Sequence, residues 1–427
     1  MEGSRIPTIH ELIKDVPLPR MVRVRQTFPD GTIEDIRESV WKELSQEKIR
    51  STIKPGMRIC ITAGSRGIDR LKEFIKTIAD FVKECGAEPF IIPAMGSHGN
   101  CTAEGQREIL RGYGVTEEYC GCPVISDMTT VTICHVPDGR PVKIDKHAAE
   151  ADGIIVFNRV KPHTNFRGRY ESGLMKMMTI GMGKREGADS AHDTGMGHMA
   201  EVVELYGNAV RTHSNVLFGL ASVENAYDRC CRIVAMTNEE IPEVEPELQA
   251  FSKASLPRII IPESDILLVD YIGKNFSGTG ADPNVTGTFS HPWMSGGHKK
   301  QRMVFFDLSE ESHGNATGLG LADFTTRRAR NKIDEEPGYA NSIISIATDE
   351  GKIPITCENQ EDAIKAALKC CVDVDRSNPR IIRIHNTLDL EEIYISEALL
   401  EEARKYPEIE ILSDPEPFAF DENGNLF

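Results

Sequence analysis

Three apolar runs in the first half of this chain end in the same way, and that recurrence narrows the fold more than any other feature. Residues 57–62 run into the turn AGSRG, residues 89–93 into MGSHGN, and residues 153–157 into NRVKPHTNF. After the first run, Leu71, Phe74, Ile75, Ile78, Phe81 and Val82 recur at three- and four-residue spacing, which gathers them on one helix face, and Gly86 supplies a stop. Strands alternating with amphipathic helices predict a mostly parallel sheet covered by helices. In such sheets ligands bind in the crevice at the carboxyl ends of the strands. Arg66, His98 and His163 all fall just beyond such ends, so three distant segments deliver a guanidinium and two imidazoles to one edge.

The pattern continues with a helix over 197–213 and a strand at VLFGLAS. Past residue 251 the texture changes. SKASLPRIIIPESD holds two prolines, and ILLVDYI then opens a new series that includes KIPITC with EDAIKAALKC and PRIIRIHNT with SEALLEEARKY, read as two further β-α steps. The expected fold class is α/β: two α/β domains with mostly parallel sheets and an interdomain active-site cleft. Residues 1–250 form the N-terminal cofactor-binding and catalytic domain, and 251–427 the C-terminal domain closing the substrate cleft. No low-complexity segment or solenoid period interrupts this reading.

Charge narrows the partners. With 66 acidic against 49 basic side chains, the formal charge of −17 opposes nucleic acid and anionic membrane surfaces and points to a small molecule. An anionic ligand then needs local positive charge from placed Arg and Lys, helix N-termini or a metal. MEGSRIPTIHELIKDVPLPR does not read as a secretory signal, and no run reaches the roughly 18 apolar residues of a membrane span. Eleven scattered cysteines suit reduced thiols. Cys230/Cys231, Cys370/Cys371 and Cys120-Gly-Cys122 read as structural thiols, because no second CxxC completes a zinc site. The expectation is a cytoplasmic protein, with homo-oligomerisation left open.

The stretch VKPHTNFRGRYESGLMKMMTIGMGKREGADSAHD carries most of the chemistry. His163, Lys176 and His192 are 13 and 16 residues apart, too far for a single-turn metal pair, so they must meet in space from different elements. A desolvated lysine can act as a nucleophile or bond to a cofactor carbonyl, and SGLMKMMTIGMG offers an apolar setting. The same motif also suits an ordinary helix with methionines in the core and Lys176 reaching solvent.

GSHGN around His98, KPH at His163, SGLMK at Lys176 and the following His192 resemble the lactate racemase family, as do IGKNFSGTGADPNVTG and KIPITC with EDAIKAAL. The resemblance implies a racemase or epimerase, an isomerase that inverts C2 of a 2-hydroxy acid by reversible hydride transfer. The cofactor it implies is the nickel-pincer nucleotide, nickel-pyridinium-3,5-bisthiocarboxylic acid mononucleotide, made by cofactor-maturation enzymes. By that resemblance Lys176 bonds to the cofactor, His192 completes nickel coordination, His98 and His163 act as acid and base, and Arg66 contacts the bound anion. One neutral imidazole suffices where the cofactor supplies the other donors. The AGSRG turn, with Ser65 and Arg66, suits the cofactor phosphate.

Departures from the family pattern bear on the substrate. A short insertion between His163 and Lys176 brings Arg167 and Arg169 near the site, and GN follows His98 where lactate racemases usually carry an arginine. Both favour an acid larger than lactate, such as malate or a sugar acid like gluconate, although the two arginines equally suit pairing with surface acids. Lys274, in IGKN, is the candidate for the second-domain lysine that contacts substrate, and Trp293 is a candidate pocket wall. Two other readings stand beside this one: a zinc hydrolase with His98, His163 and His192 as ligands, and a non-catalytic nucleotide- or cofactor-binding protein.

Overall fold

In the computed structural model, which describes residues 8–65 and 67–427, the chain divides into two units. One is Asp30–Leu256; the other joins Met1–Pro29 to Pro257–Phe427. The division expected after residue 250 thus shifts to the end of the helix Ile241–Ser255, whose last turn absorbs the Ser/Lys run. The first residues also change sides. Strand β1 (Met21–Gln26) pairs antiparallel with strands of the later segment, burying Val22 and Val24. An alternating strand finds whichever sheet edge leaves its apolar face covered, and nothing local in MVRVRQ names that edge.

The unit Asp30–Leu256 holds β2 (Arg58–Ala63), β3 (Glu88–Pro93), β4 (Thr130–His135), β5 (Pro141–Asp145), β6 (Gly153–Arg159), β7 (Val216–Glu224) and β8 (Cys230–Thr237). Among the described residues the main sheet runs β3-β2-β6-β7-β8, parallel except for β8, and β4 pairs with β5 as a separate ribbon. Ile59 and Ile61 pack into one core while Cys60, Ile154 and Val156 pack into another, so both sheet faces are covered. That is why these strands read as continuous apolar runs. The helix Leu71–Glu84 buries all six residues its spacing singled out, and Phe74 stacks on Phe157 at 4.9 Å. Each such burial contributes about 1.5–3 kcal/mol.

In the other unit lie β9 (Ile266–Ile272), β10 (Arg302–Leu308), β11 (Phe324–Thr326), β12 (Ile355–Cys357), β13 (Ile381–Ile384), β14 (Glu392–Ser396) and β15 (Ile409–Ile411). Their sheet runs β12-β11-β10-β9-β13-β14-β1-β15, parallel as far as β13 and antiparallel beyond it. KIPITC and the helix Gln360–Lys369 form the expected β-α step. PRIIRIHNT does not: β13 is followed by β14, and SEALLEEARKY makes only the short turns Glu397–Leu399 and Leu400–Ala403. The alternation in EIYIS, which buries Ile393 and Ile395, outweighs the helical propensity that follows. Both units are therefore α/β with mostly parallel sheets. No helix among the described residues is long and apolar enough to cross a membrane.

Candidate active site at the switch between β2 and β6

The chain leaves β2 toward β3 and leaves β6 toward β7, on opposite sides. Loops diverging in this way open a crevice at the carboxyl ends of the two strands, the usual ligand position in an open α/β sheet. Gly64 follows β2 directly. A Cβ there would lie 3.4 Å from Met177 Cε and 3.6 Å from Asn158 Oδ1, and Asn158 donates to Gly173 O at 2.9 Å. The first turn, the end of β6 and the Lys176 segment therefore converge. Arg66 lies outside the described residues.

Lys176 ends a short helix, Leu174–Lys176, that opens into a single π turn, Met177–Gly181, before the helix Lys184–His192. Such turns break the regular ladder and are frequent at functional sites. Met175, Met177, Met178 and Met182 are buried, so the methionine-rich motif is core and the half-buried Lys176 sits against it, with Nζ 5.8 Å from the Phe166 ring centroid. Beneath the helix, Glu245 Oε2 accepts the Met175 N–H at 3.0 Å. Burial pushes the Glu245 carboxyl up to about 8.

Around Lys176 stand two imidazoles. Burial, then the ammonium groups of Lys176 and Lys161, hold His163 well below the usual imidazole range. Partial desolvation and Lys176 also lower His192, at the end of its helix. Both imidazoles are therefore disfavoured as cations beside the Lys176 amine. The His163 loop is tied from several sides: Phe166 packs on its ring at 4.3 Å, and the fully buried Glu171 accepts the His163 N–H at 2.9 Å and Lys253 Nζ at 2.6 Å. Arg167 donates to His163 O at 2.5 Å and lies 3.6 Å from Glu171.

His98 joins this group through its loop. Gly96, at φ +58°, donates to Gly181 O at 3.1 Å, and a Cβ there would press on Ile180 Cγ2 at 3.1 Å, so the loop docks on the π turn itself. Gln106 Nε2 donates to Gly96 O at 2.9 Å and His98 O at 3.2 Å. Behind it the fully buried Lys184 donates to Pro93 O at 2.5 Å and faces the equally buried Asp145 at 3.0 Å. His98 Nδ1 is hydrogen-bonded to Ser65 Oγ. Ser65, expected at a cofactor phosphate, here supports an imidazole.

The remaining candidates have partners of their own. Arg169, expected near the site, turns to the surface: it pairs with Glu243 at 3.0 Å and Glu204 at 3.8 Å and donates to Pro242 O at 2.9 Å, because three acceptors lie within its reach there. Lys274 and Trp293 belong to the other unit. Lys274 Nζ donates to Gly278 O at 2.5 Å and Asn341 Oδ1 at 3.0 Å, and Trp293, 50% exposed, stacks on His291 at 4.6 Å. Among the described residues no three His, Cys, Asp or Glu side chains gather as metal ligands. Glu171, Lys184, Gln106 and Glu245 escaped sequence reading. An acid in RYES or a lysine in GMGKRE looks solvated until the fold buries it.

Residues 10–203 match the family model described as lactate racemase N-terminal domain. Among solved structures, a protein from Thermotoga maritima aligns with TM-score 0.51 at 12% identity, covering 82% of this chain and 94% of that one, a likeness of fold. The lactate racemase apoprotein from Thermoanaerobacterium thermosaccharolyticum aligns with TM-score 0.47 at 13% identity, covering 82% of this chain and 85% of that one. No curated protein sequence matches.

Proposed function

We propose that this chain, whose residues 10–203 match the lactate racemase N-terminal domain model, is a racemase or epimerase acting at C2 of a 2-hydroxy acid. The observation that carries this reading is the convergence of the first turn, the end of β6 and the Lys176 segment at the β2/β6 switch, with His163 and His192 both disfavoured as cations beside the Lys176 amine. Such a donor set fits a nickel-pincer nucleotide. A half-buried amine suits a bond to a cofactor carbonyl, and a neutral imidazole on His192 suits nickel, with the other donors coming from the cofactor. Lys176 and His192 would hold the group, and the chemistry it would supply is reversible hydride transfer at C2.

The protein's own part is to hold the acid and manage its hydroxyl proton. Direct deprotonation at C2 would need a far stronger base than any side chain near neutrality, which is why hydride chemistry suits this substrate class. His98, backed by Ser65, and His163 serve the substrate hydroxyl. Arg66 would hold the carboxylate, with Arg167 beside His163 favouring a larger or more anionic acid such as malate or a sugar acid.

The test is the nickel-to-protein ratio and intact mass of chain produced with the cofactor's biosynthetic enzymes, followed by racemisation assays from lactate to sugar acids. Stoichiometric nickel with turnover supports the reading. Zinc in place of nickel, with hydrolytic turnover, would favour a hydrolase, and nickel-loaded chain inert toward every acid would favour a non-catalytic cofactor-binding role.

A further inference from the structure

The helix that carries Lys176 lacks a local cap. Its first backbone N–H groups have no carbonyl a turn earlier to bond, and Gly173, at the cap position, has no side chain to offer an acceptor. The acceptor comes from 70 residues away: Glu245, on the helix Ile241–Ser255, takes the Met175 N–H through Oε2 at 3.0 Å, and the Leu174 N–H also faces its carboxyl. A Cβ at residue 173 would collide with Glu245 Oε1 and stand 3.0 Å from Cδ, so glycine there is what lets the carboxyl reach the helix. Glu245 is fully buried on the same helix face as Ile241, Leu248 and Ser252, and its Oε1 has no hydrogen-bond partner among the described residues.

We propose that Glu245 is a positioning residue for Lys176, one that works as a neutral carboxylic acid and fixes where the helix presents its amine. This rests on the racemase reading, in which Lys176 bonds to the cofactor. An ionised carboxylate is costly to bury unless a cation compensates it. Here two backbone N–H groups face the carboxyl, and among the described residues no cation is paired with it. The basic groups nearest along the chain are taken by other acids: Lys253 pairs with Glu171 at 2.6 Å and Arg169 with Glu243 at 3.0 Å. Tyr170, the titratable group that senses Glu245, is a phenol donating to Pro242 O at 2.8 Å and brings no positive charge. Burial accordingly pushes the carboxyl up to about 8. Gln249, four residues on along the same face, carries a buried amide oxygen that has no partner and can accept the acid's O–H.

The neutral state matters to the amine above it. A carboxylate beneath the helix would favour the ammonium of Lys176, whereas the free amine is the form that can bond a carbonyl carbon. A protonated carboxyl holds the helix start without adding that charge. The position of Lys176 depends on this end of the helix, because the π turn Met177–Gly181 follows at once and the regular bond beside the lysine runs back from the Met177 N–H to Gly173 O at 2.9 Å.

The first test uses unloaded, full-length protein. A carboxyl raised on folding contributes stability that is present below its ordinary range and lost as pH rises through about 8. The wild-type urea midpoint should therefore fall between pH 5 and pH 9 relative to that of Glu245→Gln, which has no proton to lose. Parallel midpoints would overturn the neutral acid. On the same protein, acetic anhydride labelling of Lys176, read by peptide mass, should be unchanged in Glu245→Gln, which keeps an oxygen for the Met175 N–H, and altered severalfold in Glu245→Leu, which does not. Gly173→Ala, which pushes the carboxyl off the helix start, should reproduce the leucine effect and serves if Glu245→Leu does not fold. Chain produced with the cofactor's biosynthetic enzymes should then hold wild-type nickel in Glu245→Gln and about tenfold less in Glu245→Leu, the scale of one hydrogen bond. Wild-type labelling and nickel in both Glu245→Leu and Gly173→Ala would overturn the positioning role, and nickel lost equally from the glutamine and leucine variants would show that a carboxylate is required. If the variants move Lys176 as expected while loaded wild-type chain is inert toward every 2-hydroxy acid, the racemase reading falls and the role of Glu245 in presenting Lys176 stands.

Discussion

At the carboxyl ends of β2 and β6, burial first and then Lys176, Lys161 and Arg167 hold His163 well below the usual imidazole range. Toward the carboxyl ends of β9, β10 and β13 the charges are opposite and satisfied: Arg383 makes two bonds to Asp270, at 2.7 and 2.9 Å, and Asp307 lies 3.0 Å from Arg328 and 3.1 Å from Lys332. His385, 3.7 Å from the Asp270 carboxylate, is pushed up by it where His163 is pushed down. Two edges of similar topology thus use charge in opposite senses. Paired charges hold a fold together. Cations crowded on imidazoles raise the energy of the protonated ring, and that arrangement makes sense where a neutral base or ligand is needed for chemistry.

The largest expected effect separates the edges by function: His98→Ala should lower racemisation about 10²–10⁴-fold while nickel is retained, and His192→Ala should lose nickel, both read from metal content and turnover of loaded protein. Next, Lys184→Ala should cost about 3–5 kcal/mol by leaving Asp145 charged and buried, measured as a shift in the urea midpoint. Arg383→Ala should cost about 3 kcal/mol for the same reason at Asp270, yet leave turnover of the remaining folded enzyme unchanged; a kcat loss would show the second edge to be more than structural.

Acidity gives a smaller and opposite pair of effects. Below about pH 6.5 the unfolded chain binds a proton that folded His163 refuses, so stability falls as pH drops, and His163→Gln should flatten that decline. The His385 contribution runs the other way: present below about pH 6.5 and lost as pH rises through its raised folded value. Urea midpoints across pH for His163→Gln and His385→Gln read both. The smallest effect is expected of Arg169→Ala, whose solvated ion pair should leave the urea midpoint almost where it was and KM unchanged; a raised KM would return Arg169 to the substrate site.

Sequence alone was enough for the layered α/β plan, because strands buried on both faces must be apolar throughout and their helices must carry one apolar stripe, as in Leu71–Glu84. It also brought His98 and His163 forward as candidates, since chemistry-bearing side chains beyond strand ends stand out against polar loops, and Lys176 and His192 through their motif. Local pattern could not say that β1 crosses to the far sheet, that Arg169 faces Glu243, or that Glu171 and Lys184 are buried, because each depends on partners distant in the chain. Nor could it place Glu245 against the helix that carries Lys176. The carboxyl and the Met175 N–H it accepts lie 70 residues apart, and only the tertiary structure brings the two together.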